Sequence, residues 1–319
     1  MNAVKNPYVF AVGCPRSGTT LLQRMLDNHP RLAVANDTHF IPKFIKEASV
    51  GEDPPLTEEL VEEVRGYRRF YRLGVSDEAV HRAAERSGTY GEFVGALYSE
   101  FAGKSGKSLG GEKTPDYVRD LPKLHALFPW VKTVHIIRDG RDVALSTLKW
   151  ANENKGPGRL DLWNEEPVAV CALWWRRQVE AGMKDGRKLG ARSCHEVKYE
   201  DLVAEPEERL REISDFLDLT YAPEMARFHE GKTRDEPGLD AKRAWLPPTQ
   251  GLRNWRSAMS GRDLELFEAL AGDLLSNLGY ERGAESLSQE TVETAARCRE
   301  WWEKERARRR EKHARRGRI

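Results

Sequence analysis

Apolar positions along this chain follow two rhythms. A short unbroken run at Tyr8–Val12, bounded by Pro7 and Gly13, predicts a buried strand, and Val131–Ile137 and Ser193–Tyr199 read as two further strands. Each is followed by apolar residues at helical spacing. Thr19–Asn28 places Leu22, Met25 and Leu26 on one face and stops at His29-Pro30. Gly140–Asn152 follows the second strand, and Pro206–Leu217, with Pro and acidic residues at its start, follows the third. This alternation predicts an α/β fold built on a mainly parallel sheet.

A highly charged, mostly helical insert runs from about 40 to 103, with Leu56, Leu60, Val64, Tyr67 and Tyr71 in helical register. The Gly and Pro content of Lys155–Pro167 and Lys232–Gln250 predicts loops, and loops of that length act as lids or binding loops. Trp174 and Trp175 read as a helix face on the core. From Ser288 a single long helix runs into a basic tail, so the expected division is a domain over 1–287 and a terminal helix and tail over 288–319. The chain carries no internal repeat.

Composition narrows the class. With 319 residues, 39% hydrophobic and 32% charged, the chain can bury a core and is too apolar for global disorder. No apolar run approaches the ~20 residues of a bilayer span, and Met1–Pro7 lacks the zones of a signal peptide. Cys14, Cys171, Cys194 and Cys298 stand singly, which argues against a disulfide framework or a structural zinc site and for a reducing cytoplasm. The net charge of +1 hides an asymmetry: Arg306–Ile319 holds eight Lys or Arg and one Glu, leaving 44 basic and 50 acidic residues before it. A mildly acidic body does not suit a dedicated nucleic-acid binder, and the tail is expected to be solvated.

The strongest signal is Gly13-Cys14-Pro15-Arg16-Ser17-Gly18-Thr19-Thr20, directly after a strand and opening a helix. Backbone N–H groups converge there at a helix N-terminus, which suits an anion. The spacing is that of a Walker-type phosphate loop except that Thr19 stands where the lysine belongs, and the loop's cation is Arg16. An ordinary NTPase uses that lysine against the β/γ-phosphates, so the loop is expected to hold a phosphate-like group of another kind.

Pro15-Arg16-Ser17-Gly18-Thr19-Thr20-Leu21-Leu22 resembles the 5′-phosphosulfate loop of sulfotransferases that use 3′-phosphoadenylyl sulfate (PAPS). The run on to Met25-Leu26-Asp27-Asn28-His29-Pro30 is most similar to the tyrosylprotein sulfotransferase branch and its bacterial relatives. The resemblance implies a P-loop-type three-layer fold, PAPS as co-substrate, its 3′,5′-bisphosphate PAP as product, and no metal. It implies that Arg16, Ser17, Gly18, Thr19 and Thr20 bind the phosphosulfate. Arg138-Asp139-Gly140-Arg141-Asp142, with Ser146 eight residues after Arg138, resembles the family's 3′-phosphate site, while Asp142 reads as a helix-start residue. Gly111-Glu112-Lys113-Thr114-Pro115 resembles the family segment whose Lys reaches the transferring group. Tyr199-Glu200-Asp201-Leu202 resembles a segment whose Tyr lies near the nucleotide or simply packs. Gly251–Arg256 falls where relatives carry a nucleotide-covering loop, with Trp255 either stacking on adenine or anchoring a helix.

Sulfuryl transfer needs a proton acceptor and cations on the departing oxygen. Arg16 and Lys113 suit the second need. Asp37, in Asn36-Asp37-Thr38-His39-Phe40-Ile41-Pro42, aligns with the family's catalytic Glu. It is one methylene shorter, and His39 replaces the family's Arg, which argues against a peptide acceptor. His39 and Glu112 are competing bases, and Asp37 is otherwise a helix cap. The expected activity is sulfuryl transfer by in-line displacement to a hydroxyl, less readily an amine, of a small molecule, lipid or sugar. A P-loop kinase using ATP and a non-catalytic nucleotide-binding module are the alternatives. Neither the acceptor nor the oligomeric state is read from the sequence; a homo-oligomer remains open.

Overall fold

The computed structural model describes residues 5–45, 49–151, 155–230, 247–249 and 254–316, with the backbone alone at 310 and 312–316. Five parallel strands form one sheet in the order β2-β3-β1-β4-β5. They are β1 Val9–Gly13, β2 Leu32–Asn36, β3 Leu109–Lys113, β4 Lys132–Ile137 and β5 Cys194–Lys198. An unbroken apolar run suits β1 because it is central and buried on both faces. Its side chains alternate: Phe10 and Val12 join one core cluster, Val9 and Ala11 the other. The first cluster is closed by the helices Tyr90–Lys104 and Leu121–Leu127, through Phe93, Leu97, Leu121 and Leu124. The second is closed by Thr19–Asp27 and Pro206–Phe216, through Leu22, Met25, Leu210 and Ile213. The sheet and its two helical layers give the expected three-layer α/β fold.

β2 and β3 are not among the strands expected from the sequence; β2 is a short apolar run, Leu32–Ala35, whereas β3 lacks any such run. β3 contains Gly110 and Gly111, residues that weaken an isolated strand. Packing explains them: a Cβ on Gly110 would sit 2.3 Å from the Tyr98 carbonyl oxygen, and one on Gly111 would sit 2.6 Å from Val9 Cγ1. β2 is a five-residue edge strand whose pairing to β3, Leu32 opposite Leu109 through Asn36 opposite Lys113, is wholly tertiary.

The insert is mainly helical, as its periodicity predicts. Glu58–Arg65, Asp77–Glu85 and Tyr90–Lys104 start at Thr57, Ser76 and Thr89, whose hydroxyls accept the N–H of Leu60, Ala79 and Glu92. The apolar stripe ends sooner than its spacing suggests. The helix stops at Arg65, and Tyr71, on a separate 3-10 turn Phe70–Leu73, is 72% exposed.

The chain divides into two compact units, one comprising 1–137 with 181–250 and holding the whole sheet, the other 138–180 with 251–319. In the second unit the helix Gly140–Trp150 starts at Asp139, whose carboxylate accepts the Arg141 N–H at 2.9 Å. Trp175 is fully buried against Gly140 and against Phe267 of the helix Gly261–Asn277, as a core-facing tryptophan should be. Lys155–Pro167 is no open loop. Its 3-10 turns Gly156–Arg159 and Asp161–Asn164 bury Pro157, Leu160 and Leu162. Lys232–Gln250 lies outside the described residues except for 247–249.

The long helix Gln289–Arg316 buries Ala295, Cys298 and Trp302. The tail is not wholly solvated at its start, contrary to its composition. Glu305 is buried, Arg308 and Arg309 both pair with it, and Arg308 also lies 3.6 Å from Asp161. Among the described residues no helix is long and apolar enough to cross a membrane.

Candidate active site

Parallel sheets bind ligands beyond the carboxyl ends of their strands. Here the phosphate loop follows β1, Asp37 follows β2, Lys113 ends β3 and Tyr199 follows β5. Register brings three of these together: Lys113 lies opposite Asn36 on one side and Ala11 on the other.

The loop closes with the Ser17 N–H donating to the Cys14 carbonyl at 3.0 Å, and Arg16 takes a left-handed conformation at φ 78°. Gly18, the cap of the helix Thr19–Asp27, has φ 92°, and a Cβ there would sit 2.3 Å from Tyr199 Cδ2. Glycine is therefore required twice, by the backbone and by the ring packed on it. No side chain caps this helix and its first turn has no acidic residue, which suits a helix start that meets an anion. Ser17 Oγ is buried with no hydrogen-bond partner among the described residues. An orphaned hydroxyl at a helix start with no side-chain cap fits a phosphate or sulfate oxygen. Thr19 is buried in the same turn as Thr20.

Asp37 is not a helix cap. The next helix, Ile41–Phe44, begins at Phe40 without a side-chain cap, and the Asp37 carboxylate lies 3.1 Å from Lys113 Nζ. His39 Nε2 and Arg72 Nη1 are each 3.9 Å from it. Lys113 is 1% exposed against 19% for Asp37, so the ammonium is deep and the carboxylate is nearer solvent. Burial pushes Lys113 below its ordinary value, and the Asp37 charge opposes that shift. Burial, reinforced by the Arg69 guanidinium, lowers His39 to about 4, so it is neutral at pH 7. Glu112 is fully buried and accepts the Thr38 N–H at 2.9 Å, the Tyr98 hydroxyl at 2.7 Å and the Thr114 hydroxyl. Burial raises its carboxyl above the usual range against those three hydrogen bonds. Asp37 and Lys113 thus form a carboxylate–ammonium pair able to accept a proton and to face developing negative charge.

In the second unit Arg138 pairs with Asp142 at 3.4 Å, and Ser146 is buried one turn further along the helix Gly140–Trp150. Asp142 lies in that helix's first turn and accepts the Trp255 N–H at 3.0 Å; the cap itself is Asp139. Arg141 is held by Asp139 at 2.8 Å and Glu268 at 2.7 Å, and its guanidinium lies 3.6 Å from the Trp255 ring centroid. Trp255 is 7% exposed, with Arg256 4.4 Å from its ring centroid, so it is a buried anchor rather than a stacking platform for adenine. Gly251, Leu252 and Arg253 lie outside the described residues. Among the described residues no group of His, Cys, Asp or Glu could hold a metal ion.

Tyr98, Arg72 and the Thr38 backbone carry no motif. Tyr98 reads as one more apolar position of a helix, and only the β2–β3 pairing brings Glu112 under it.

The chain matches the sulfotransferase family over residues 7–223. It is 26% identical over 216 residues to protein-tyrosine sulfotransferase A of Caenorhabditis elegans, covering 68% of this chain and 51% of that protein. It is 27% identical over 284 residues to the protein-tyrosine sulfotransferase of Drosophila melanogaster, covering 86% and 52%. The chain thus spans about half the length of these relatives. In fold it is similar to the sulfotransferase domain of the Synechococcus PCC 7002 olefin synthase, with a TM-score of 0.60 and 23% identity over 88% of this chain and 97% of that one. A phosphate loop without the NTPase lysine and a match over two thirds of the sequence agree: the chain belongs to the sulfotransferase family.

Proposed function

We propose that this chain transfers the sulfuryl group of PAPS to a hydroxyl of a small-molecule, lipid or sugar acceptor, with Asp37 as general base. The observation that carries the reading is the Asp37–Lys113 pair at 3.1 Å, at the ends of β2 and β3, the second of which adjoins the strand that ends in the phosphate loop. Arg16, Ser17, Gly18, Thr19 and Thr20 would hold the 5′-phosphosulfate, a role supported by the uncapped helix and the orphaned Ser17 hydroxyl. Arg138 and Ser146 are assigned to the 3′-phosphate by their motif, and Tyr199, packed on Gly18, to the nucleotide side of the loop.

The acceptor oxygen forms a bond to sulfur as the bond from sulfur to the phosphate oxygen breaks, in line. The acceptor proton passes to Asp37, and Lys113 and Arg16 offset charge on the departing PAP. The kinase alternative lacks its lysine at Thr19. A domain over 1–287 with a terminal helix, and a reducing cytoplasmic setting, belong to the same reading; the free thiols Cys171, Cys194 and Cys298 support the setting.

The test is ligand choice in a thermal-shift assay. PAP should stabilise the protein well beyond AMP or ATP, by roughly 2.7 kcal/mol at a hundred times its dissociation constant. Arg138→Ala should remove the preference. Equal responses to AMP and PAP would remove the 3′-phosphate site from the proposal.

A further inference from the structure

We infer that Glu112 is a positioning residue: it fixes Asp37 over Lys113 by clamping the backbone of Thr38, and it is not itself the proton acceptor. This rests on Asp37 as the base proposed above. Asp37 and His39, on either side of Thr38, hold φ values of 59° and 61°. Left-handed backbone is unfavourable for residues with a Cβ, and two such residues in three persist only where the surroundings over-determine them. Consecutive β3 residues supply that constraint. The Lys113 carbonyl accepts the Asp37 N–H at 2.8 Å, and the Glu112 carboxylate accepts the Thr38 N–H at 2.9 Å. Just downstream, the Ile41 N–H donates to the Tyr117 hydroxyl and the Ile41 carbonyl accepts from Tyr90, both at 3.2 Å. A single strand end therefore sets both the turn that carries the base and the ammonium that faces it.

Glu112 is badly placed to be a base. It is fully buried, and its two oxygens already take three donors, from Thr38, Thr114 and Tyr98. A carboxylate only accepts, so the ionised form satisfies all three, whereas a general base must reach the acceptor hydroxyl. Glutamine would still offer its carbonyl to the Thr38 N–H while its NH₂ meets the Tyr98 hydroxyl, which can also accept, whereas aspartate keeps the charge and draws the carboxylate back from that N–H by one methylene.

The kinetic test is a double-mutant cycle. Glu112→Asp should lower kcat roughly tenfold or more while the KM for PAPS stays within about twofold. Added to Asp37→Asn it should change kcat by no more than about twofold, because a residue acting through Asp37 has nothing left to act on. Multiplicative losses would overturn the inference, as would a Glu112→Asp loss larger than that of Asp37→Asn. The structural test needs no acceptor. A crystal structure of Glu112→Asp should show residues 37–39 leaving the left-handed region and Asp37 drawn away from Lys113. An unchanged turn would overturn the inference. If Glu112→Asp does not fold, Glu112→Ala, which removes the acceptor of the Thr38 N–H, takes its place in both readouts. A wild-type protein that transfers no sulfuryl group would fail the proposed function alone, because the crystallographic outcome still decides the role of Glu112.

Discussion

Asp37→Asn tests the site with little collateral change, because Asn occupies left-handed backbone readily and keeps the turn at φ 59°. What is lost is a proton acceptor and a negative charge 3.1 Å from Lys113 Nζ. Loss of a general base lowers kcat by roughly 10²–10⁴-fold, which is about 3–5 kcal/mol of barrier. The lost charge should also register in stability. At 3.1 Å and an effective dielectric of about 20, the gross attraction is about 5 kcal/mol. Asp37 is 19% exposed and partly screened, and Asn keeps the volume of the side chain in the turn, so a net loss of about 2 kcal/mol is expected. For a chain of this size that corresponds to a melting shift of roughly 3 °C. The assay is kcat at saturating PAPS, alongside melting with and without PAP, and the PAP-induced shift should persist in the variant. A variant that keeps kcat within fivefold of wild type, while His39→Ala does not, would move the base to His39. Loss of the PAP response would make Asp37 a binding residue.

His39 is held near 4, below its ordinary 6.5, so between those values the unfolded chain binds a proton that the folded chain refuses. Stability is therefore full above pH 6.5 and declines toward pH 4, and His39→Gln should remove up to about 3 kcal/mol of that decline. Melting at pH 4.5 and 7.5 reads it, with His125, also lowered to about 4 by burial, supplying a remainder; equal acid sensitivity in both proteins would refute the point. Gly18→Ala should cost about 3 kcal/mol, from its positive φ and from the Cβ placed 2.3 Å from Tyr199. Adding Tyr199→Ala should relieve only the steric part in urea unfolding, and a neutral Gly18→Ala would show that the ring is not packed there. Deleting Arg306–Ile319 strips Arg308 and Arg309 from buried Glu305, yet both arginines are largely exposed, so the loss should be about 1 kcal/mol with PAP binding unchanged. A drop several times larger would mean that more of the tail is docked.

Local chemistry made part of this protein readable. β1 announces itself because a strand buried on both faces is apolar throughout, and the phosphate loop because a turn that offers its N–H groups to an anion requires Gly18 with Arg16, Ser17 and Thr19 around it. Lys113 and Asp37 were legible one at a time, each from the motif around it, with nothing in the spacing to join them. β3 was illegible because its glycines serve the close approach of Tyr98 and Val9, a demand made by neighbours and not by the strand itself.

The sequence by itself determined the α/β layering, the anion-binding loop and the family, since all three depend on residues within one turn or one strand of each other. Only the tertiary structure decided what each polar side chain does. Pairing β3 between β2 and β1 sets Lys113 against Asp37 and puts Glu112 under Thr38, making one carboxylate the candidate base and the other a buried clamp. The same folding fills the Trp255 face with Arg141 from a distant helix, which makes that tryptophan the anchor, one of its two readings. The reason is physical: propensity and periodicity are short-range, whereas the fate of a buried charge is set by partners that arrive from distant parts of the chain.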